Sequence, residues 1–339
     1  MFEAKHLIGG EWCRPAKGGM LPVVDPSVGE SFDEIGRGSE ADIDLAVRAA
    51  RTAMEGAWGH MAAAERGRLM LQISGRIREH AETLARLEAR DVGKPLRQAR
   101  ADALSCARYF EFYGGAADKL HGETIPYLDG YTVLTLREPH GVTAHIIPWN
   151  YPMQIIGRSV GAALAAGNAC VVKPGEDASL TALYLGKLAC EADFPAGALN
   201  IVTGLGEEAG AALARHAGID HISFTGSTEV GRLIQKAAGE NTIPLTLELG
   251  GKSPQLVFAD ADMDAALPFV VNAAIQNAGQ TCSAGSRLIV EDRIYDEFVG
   301  RVAERFKVLK AGAADQDLDL GPLINAQQRE RVRGFLGRA

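Results

Sequence analysis

From residue 142 onward the chain alternates short apolar runs with helix-forming stretches, and no other feature limits its fold as tightly. The apolar runs fall at 142–147, 169–173, 199–202, 221–224 and 245–249. Between them, 153–166, 179–192, 207–216 and 229–238 read as helices. Strands separated by helices need crossover connections, so this segment predicts a buried parallel sheet. Right-handed crossovers then give an α/β, Rossmann-like, doubly wound sheet. Such sheets bind ligands beyond the carboxyl ends of their strands. That places a candidate site in the loops 148–151, 173–176, 203–206 and 225–228 rather than on the helices.

The flanking regions read differently. Residues 1–35 look like strands and turns, with a hairpin at 7–12 turning on Gly9-Gly10. Ser39 and Asp42 form a possible capping box ahead of Ile43, Val47, Ala50 and Met54 at helical spacing. One helix is expected over 63–89 and another over 96–114, because Ala, Arg, Glu and Leu dominate there. Asp129-Gly130 between β-forming residues at 124–127 and 131–136 is a hairpin signal. A hairpin that emerges from a domain is a possible contact between subunits. After Gly250 a second α/β segment begins, with strands at 255–258 and 286–290, helices at 265–277 and 296–307, and a last helix at 329–336. No internal repeat is visible.

Composition excludes several classes of function. A net charge of −8 carries no broad basic footprint, which argues against a nucleic-acid partner. No apolar run approaches the ~18 residues of a membrane span. The N-terminus mixes charged and apolar residues without the layout of a signal peptide, so a cytoplasmic location is expected. The cysteines Cys13, Cys106, Cys170, Cys190 and Cys282 form no C-x-x-C pair, so neither a zinc site nor a disulfide framework is expected. Each would ordinarily be a small buried hydrophobe.

The chemistry-bearing positions cluster after strands. Gly204-Leu205-Gly206 with Gly210 only approximates a dinucleotide fingerprint, and glycine-rich turns are common for steric reasons alone. Phe224-Thr225-Gly226-Ser227-Thr228 lies between a strand and a helix. Backbone N–H groups there could hold a pyrophosphate, or Ser227 could be a plain N-cap, and both readings stay open. Glu248 ends an apolar strand and precedes Gly250-Gly251, which is unusual for core. Cys282 lies among Gly279, Thr281, Ser283, Ala284 and Gly285, small residues that leave room beside its sulfur.

Five segments together carry a family resemblance: Pro148-Trp149-Asn150-Tyr151-Pro152, Val172-Lys173-Pro174, Phe224-Thr225-Gly226-Ser227, Leu247-Glu248-Leu249-Gly250-Gly251-Lys252 and Gly279-Gln280-Thr281-Cys282. With them, in that order, the chain resembles the aldehyde dehydrogenase superfamily over nearly its whole length. The resemblance implies Cys282 as nucleophile, Asn150 and the Cys282 backbone N–H as oxyanion donors, and Glu248 as general base. It implies contacts to a dinucleotide from Ile147, Pro148, Trp149, Lys173, Glu176, Gly206, Phe224, Thr225, Gly226, Ser227 and Leu249. It also implies NAD as cofactor, an aldehyde as small-molecule substrate and a homo-oligomer. The implied layout is an N-terminal part of the NAD-binding domain at 1–121, an oligomerisation hairpin at 122–140, the NAD-binding core at 141–249 and a catalytic domain from 250 to 339. Family members continue further, so the resemblance implies an incomplete catalytic domain. The expectation is a weak or inactive, association-prone chain; a short gene and a partial reading of a longer one both account for it.

Elementary chemistry fits these roles. An aldehyde carbonyl carries no tetrahedral carbon from which hydride can depart, and thiolate addition creates one. The new oxygen is anionic, so preorganised donors matter. Hydrolysing the resulting thioester needs a base, which Glu248 supplies if it is partly buried and tuned to act near neutral pH. An acid at Glu176 near the adenosine ribose favours NAD over NADP. The rival readings are a non-catalytic member of the same fold and a semialdehyde-specific or acylating relative.

Overall fold

The computed structural model describes residues 5–338. The first four residues of the stretch read as strands and turns, and Ala339, lie outside the described residues. The main sheet has seven strands in the spatial order Leu245–Glu248, His221–Thr225, Val142–Ile146, Ala169–Lys173, Leu199–Ile201, His6–Ile8 and Glu11–Cys13. The first five run parallel, as the alternation requires. The N-terminal hairpin extends this sheet antiparallel, with Leu7 opposite Ile201.

Every residue of the Val142 and Ala169 strands is buried, the condition under which strands read as unbroken apolar runs. Of the polar members, Thr143 Oγ1 lies 3.0 Å from His145 Nε2, whereas His145 Nδ1 is buried without a partner among the described residues, and burial drives the imidazole of His145 down to about 3, so it stays neutral. Successive strands step outward from Val142 on one side, then return to its other edge at His221. The order therefore reverses between those two strands, the switch point at which such sheets open a crevice.

The helix Glu40–Glu55 packs on the central strands, and the helix Ala63–Glu79 packs against Gly161–Ala165 and Leu180–Glu191. The capping box is present, with the Ser39 N–H donating to Asp42 Oδ2 at 2.8 Å. The expected single helix over 63–89 is two helices, Ala63–Glu79 and Ala81–Val92, broken at His80 with φ −97° and ψ 11°. Helix propensity runs through this break, but tertiary contact overrides it: His80 Nδ1 lies 3.0 Å from the Tyr184 hydroxyl.

The hairpin over 122–136 forms, but only Thr124–Ile125 and Val133–Leu134 pair. An isolated two-stranded ribbon is marginal in water, and both faces here are largely exposed. Beyond Gly250, Pro254–Val257 and Arg287–Val290 make a parallel pair. The helices Met263–Ile275 and Tyr295–Lys307 cover it through a core of Val257, Val270 and Phe298. Leu256, Phe258, Phe269 and Ile289 remain exposed.

Candidate active site

The strand ends converge as the topology dictates. Ile147 is buried at the end of the Val142 strand, its N–H donating to Lys173 O at 2.9 Å. The loop then carries Pro148, Trp149 and Asn150, all half-buried. Gly175 sits against this backbone: a Cβ there would lie 2.9 Å from Trp149 N, so only glycine fits. On the neighbouring strand Lys173 is buried, and its Nζ pairs with Glu176 Oε2 at 2.7 Å. Burial pushes the Glu176 carboxyl up, but the Lys173 ammonium and the N–H groups of Glu176 and Gly206 outweigh it and hold the group below its ordinary value. Lys173, Glu176 and Gly206 thus form one cluster at adjacent strand ends.

At the switch point Phe224 and Thr225 are buried and Gly226 donates its N–H to Glu248 O at 3.0 Å. A Cβ on Gly226 would lie 2.5 Å from the Phe224 ring, so this turn also excludes side chains. Ser227 Oγ accepts from Val230 N at 3.2 Å, so the hydroxyl is an N-cap of the helix Thr228–Glu240. The first-turn N–H groups of that helix still lack intrahelical partners, as in any helix. Leu249 packs over Gly231, where a Cβ would lie 2.7 Å from its Cδ2.

The thiol loop is held by amides. Asn277, Ala278 and Gly279 take φ of 48°, 56° and 78° in succession, which turns the chain sharply ahead of Cys282. Asn150 Nδ2 donates to Gln280 O at 2.9 Å, and Asn277 Nδ2 donates to Asn150 O at 3.1 Å. Gln280 reaches back, accepting from Ile324 N at 3.0 Å. One N–H of the Asn150 amide remains available beyond its bond to Gln280. Cys282 is exposed with a free thiol, and all five cysteines are free. Glu248 is exposed rather than partly buried, which corrects the expectation. Its strand is the edge of the main sheet and buries only alternate residues partially, so position 248 faces open space.

A cavity of about 1180 Å³ opens at the switch point, and Asn150, Glu248 and Cys282 all line it with Pro148, Trp149, Thr225, Gly226 and Ser227. Ile147, Phe224 and Leu249 lie outside its lining, as do Lys173, Glu176 and Gly206. Sequence reading missed its other wall. Tyr109 and Asp102 from the helix Leu96–Ala116, and Gln154 and Arg158 from the helical segment after Tyr151, also line it. Asp102 is tied into a buried network: Lys94 Nζ lies 2.9 Å from Glu88 Oε1 and 2.5 Å from Asp102 Oδ2. Gln154 Nε2 donates to Asp102 Oδ1 at 2.5 Å, and the Lys94 ammonium sits 4.1 Å over the Tyr151 ring. The residues 151, 154, 155 and 158 do show helical spacing in the sequence, a signal that could have found them.

A parallel α/β sheet whose switch point shares one cavity with a loop thiol, an anchored amide and a carboxylate defines a class of α/β proteins with a cysteine at the cleft. The particular family follows from comparison: the chain belongs to the aldehyde dehydrogenase family, whose profile matches residues 12–339. It is 46% identical over 336 residues to the mitochondrial aldehyde dehydrogenase family 2 member B4 of Arabidopsis thaliana, covering 97% of this chain and 62% of that protein. A Burkholderia cenocepacia crystal structure assigned as an aldehyde dehydrogenase superposes with a TM-score of 0.98 at 65% identity, covering 99% of this chain and 71% of that one. The NAD+ complex of an aldehyde dehydrogenase from Bacillus cereus gives a TM-score of 0.97 at 40% identity, covering 99% and 69% respectively. The chain thus spans about 62% of the length of that Arabidopsis relative.

Proposed function

We propose that the protein oxidises an aldehyde to a carboxylic acid with NAD, using Cys282 as nucleophile. The observation that carries this is the convergence of Cys282, Asn150 and Glu248 on one cavity with the Gly226-Ser227 turn. A dinucleotide fits what is built here: side-chain-free turns at Gly175 and Gly226, a paired Lys173–Glu176 at the strand ends, and a helix N-terminus at Thr228. Lys173 and Glu176 would hold its adenosine ribose, and Trp149, Gly226 and Ser227 its middle. When bound, its nicotinamide supplies the hydride acceptor.

The Cys282 thiolate adds to the aldehyde carbon and forms the C–S bond. The new oxyanion is met by the free N–H of Asn150 and by the Cys282 backbone N–H, each worth about 10²–10³ in rate for a donor of this kind. After oxidation a thioester remains on Cys282. Glu248 takes a proton from water, the water oxygen adds to the thioester carbon, and the thiolate departs. The exposure of Glu248 gives it direct access to water. Cys282→Ala tests the reading: NADH formation with an aldehyde panel should vanish while NAD binding survives, and retained turnover would remove Cys282 from the nucleophile's role.

The domain layout is proposed in the same terms, with a dinucleotide part over 1–121 and 141–249 and a catalytic part from 250. No helix among the described residues is long and apolar enough to cross a membrane, and the reading includes a cytoplasmic location. The hairpin 122–140 presents Tyr127, Leu128, Tyr131 and Leu136 largely to solvent, which suits a contact with a second copy. Replacing Tyr127 and Leu136 by Ser should lower the mass measured by sedimentation; an unchanged mass would exclude the hairpin from the contact.

A further inference from the structure

The wall of the cavity made by the helix after Asn150 carries a cation that the aldehyde chemistry does not use. Tyr151, Gln154, Ile155 and Arg158 share one helical face and all line the cavity with Cys282. Arg158 lies within a π-turn, Ile156–Val160, a local widening that is frequent at functional sites. Its neighbour Gly157 lets this turn approach the helix Leu96–Ala116: a Cβ there would lie 3.1 Å from Tyr109 and 3.2 Å from the Cys106 backbone. Arg158 is half-buried and, among the described residues, has no hydrogen-bond or ion-pair partner.

A half-buried guanidinium without an anion is unusual, because its five donors are normally satisfied. The acid on the same wall does not serve it. Both oxygens of Asp102 are occupied, one by Lys94 and one by Gln154. Glu229 and Glu248 are exposed, on the wall formed by the switch-point strand, its edge neighbour and the following helix. The two walls belong to different elements: the helix Leu96–Ala116 packs against the Arg158 turn, and the helix Thr228–Glu240 against the switch-point strands. The dinucleotide turn Gly226-Ser227 therefore occupies one wall and Arg158 the other.

We infer that Arg158 is a specificity-determining residue and that the preferred substrate is an aldehyde bearing a carboxylate at its far end. The planar fork of arginine matches a carboxylate through two parallel hydrogen bonds. Arg232, Lys252 and Arg331 also line the cavity but are exposed, so Arg158 is the half-buried cation among its lining residues; one guanidinium balances one negative charge, whereas a phosphate dianion would leave excess charge beside Asp102. Arg158 lines the same cavity as Asn150 and Cys282, so one short molecule can meet the thiol at one end and the guanidinium at the other.

The inference rests on the proposed aldehyde oxidation, and the test separates the two. In the purified protein, kcat/KM is measured for butanal and for its analogue with a terminal carboxylate, in the wild type, Arg158→Met and Arg158→Lys. Methionine keeps the apolar stem of the side chain. The wild type should favour the acid-bearing aldehyde about tenfold or more, chiefly through KM; Arg158→Met should erase that preference and Arg158→Lys should keep part of it. Equal use of both aldehydes by the wild type, or a preference that survives in Arg158→Met, overturns the inference and leaves the oxidation standing. If the wild type oxidises neither, the oxidation reading fails, and equilibrium dialysis against succinate and butyrate decides the anion site. Succinate binding that is weaker in Arg158→Met supports it, and equal or absent binding sinks it.

Discussion

Lys94 is the most consequential buried charge near the cavity, and replacing it by methionine gives a defined loss. Its side chain is fully buried, and its ammonium meets two carboxylates, Glu88 at 2.9 Å and Asp102 at 2.5 Å. Burial alone would lower its pKa, but the two carboxylates outweigh burial and keep it charged. Methionine preserves most of the stem's volume, so little of the loss comes from a cavity. What remains is the stranding of a buried acid, which typically costs 3–5 kcal/mol. Against a total stability of about 5–15 kcal/mol, that is a large fraction. At roughly 2–4 °C per kcal/mol for a chain of a few hundred residues, the melting midpoint should fall by about 6–20 °C. Thermal unfolding by circular dichroism reads this directly. The double variant Lys94→Met with Asp102→Asn removes the stranded charge and should regain part of the loss. If Lys94→Met melts with the wild type, or if the double variant melts no higher than the single, the network is not held together by this charge.

Two further predictions follow from neighbouring groups. Burial pushes the Glu88 carboxyl up to about 8, with the Lys94 ammonium pulling against it. A native carboxyl with a raised pKa holds its proton more tightly than the unfolded chain, so its contribution is full below the unfolded value and is lost as pH rises through about 8. The melting midpoint should therefore drop across that window, and Glu88→Gln should flatten the drop; an equally steep profile in the variant would assign it elsewhere. Glu176→Gln removes the acid paired with Lys173 and leaves the buried ammonium to attract a 2′-phosphate. The ratio of NADP to NAD use should rise about tenfold, and an unchanged ratio would show that Glu176 does not discriminate.

The parallel sheet was legible because burial on both faces leaves no polar alternation to confuse, as in the wholly buried runs at Val142 and Ala169. The strand ends, and with them Asn150, Gly226 and Glu248, followed from topology. The break at His80 was hidden, since its cause is a contact with Tyr184 more than one hundred residues away. The open setting of Glu248 was hidden for a similar reason: which strand lies at the edge of a sheet is a property of spatial order, not of local composition. Lys94 was invisible too, because a lysine in sequence reads as solvated surface unless its two acids are known to converge on it. Arg158 was readable in principle from helical spacing, but a charged helix position ordinarily means solvent.

The three left-handed residues before Cys282 bear on how this sequence can drift. Glycine tolerates such a backbone and asparagine often does, whereas Ala278 at φ 56° carries strain of about 1 kcal/mol. The turn persists because Asn277 Nδ2 donates to Asn150 O, Asn150 Nδ2 donates to Gln280 O, and Gln280 Nε2 donates to Asn277 O. A change at any of these three amides alone leaves a partner unsatisfied and frees the turn to relax, displacing the thiol. With Asn150 held in place by its part in the chemistry, substitutions at 277 and 280 should therefore be inherited together, and a lineage that loses one of these two amides is expected to acquire Gly at position 278, which suits the same turn without its neighbours' support.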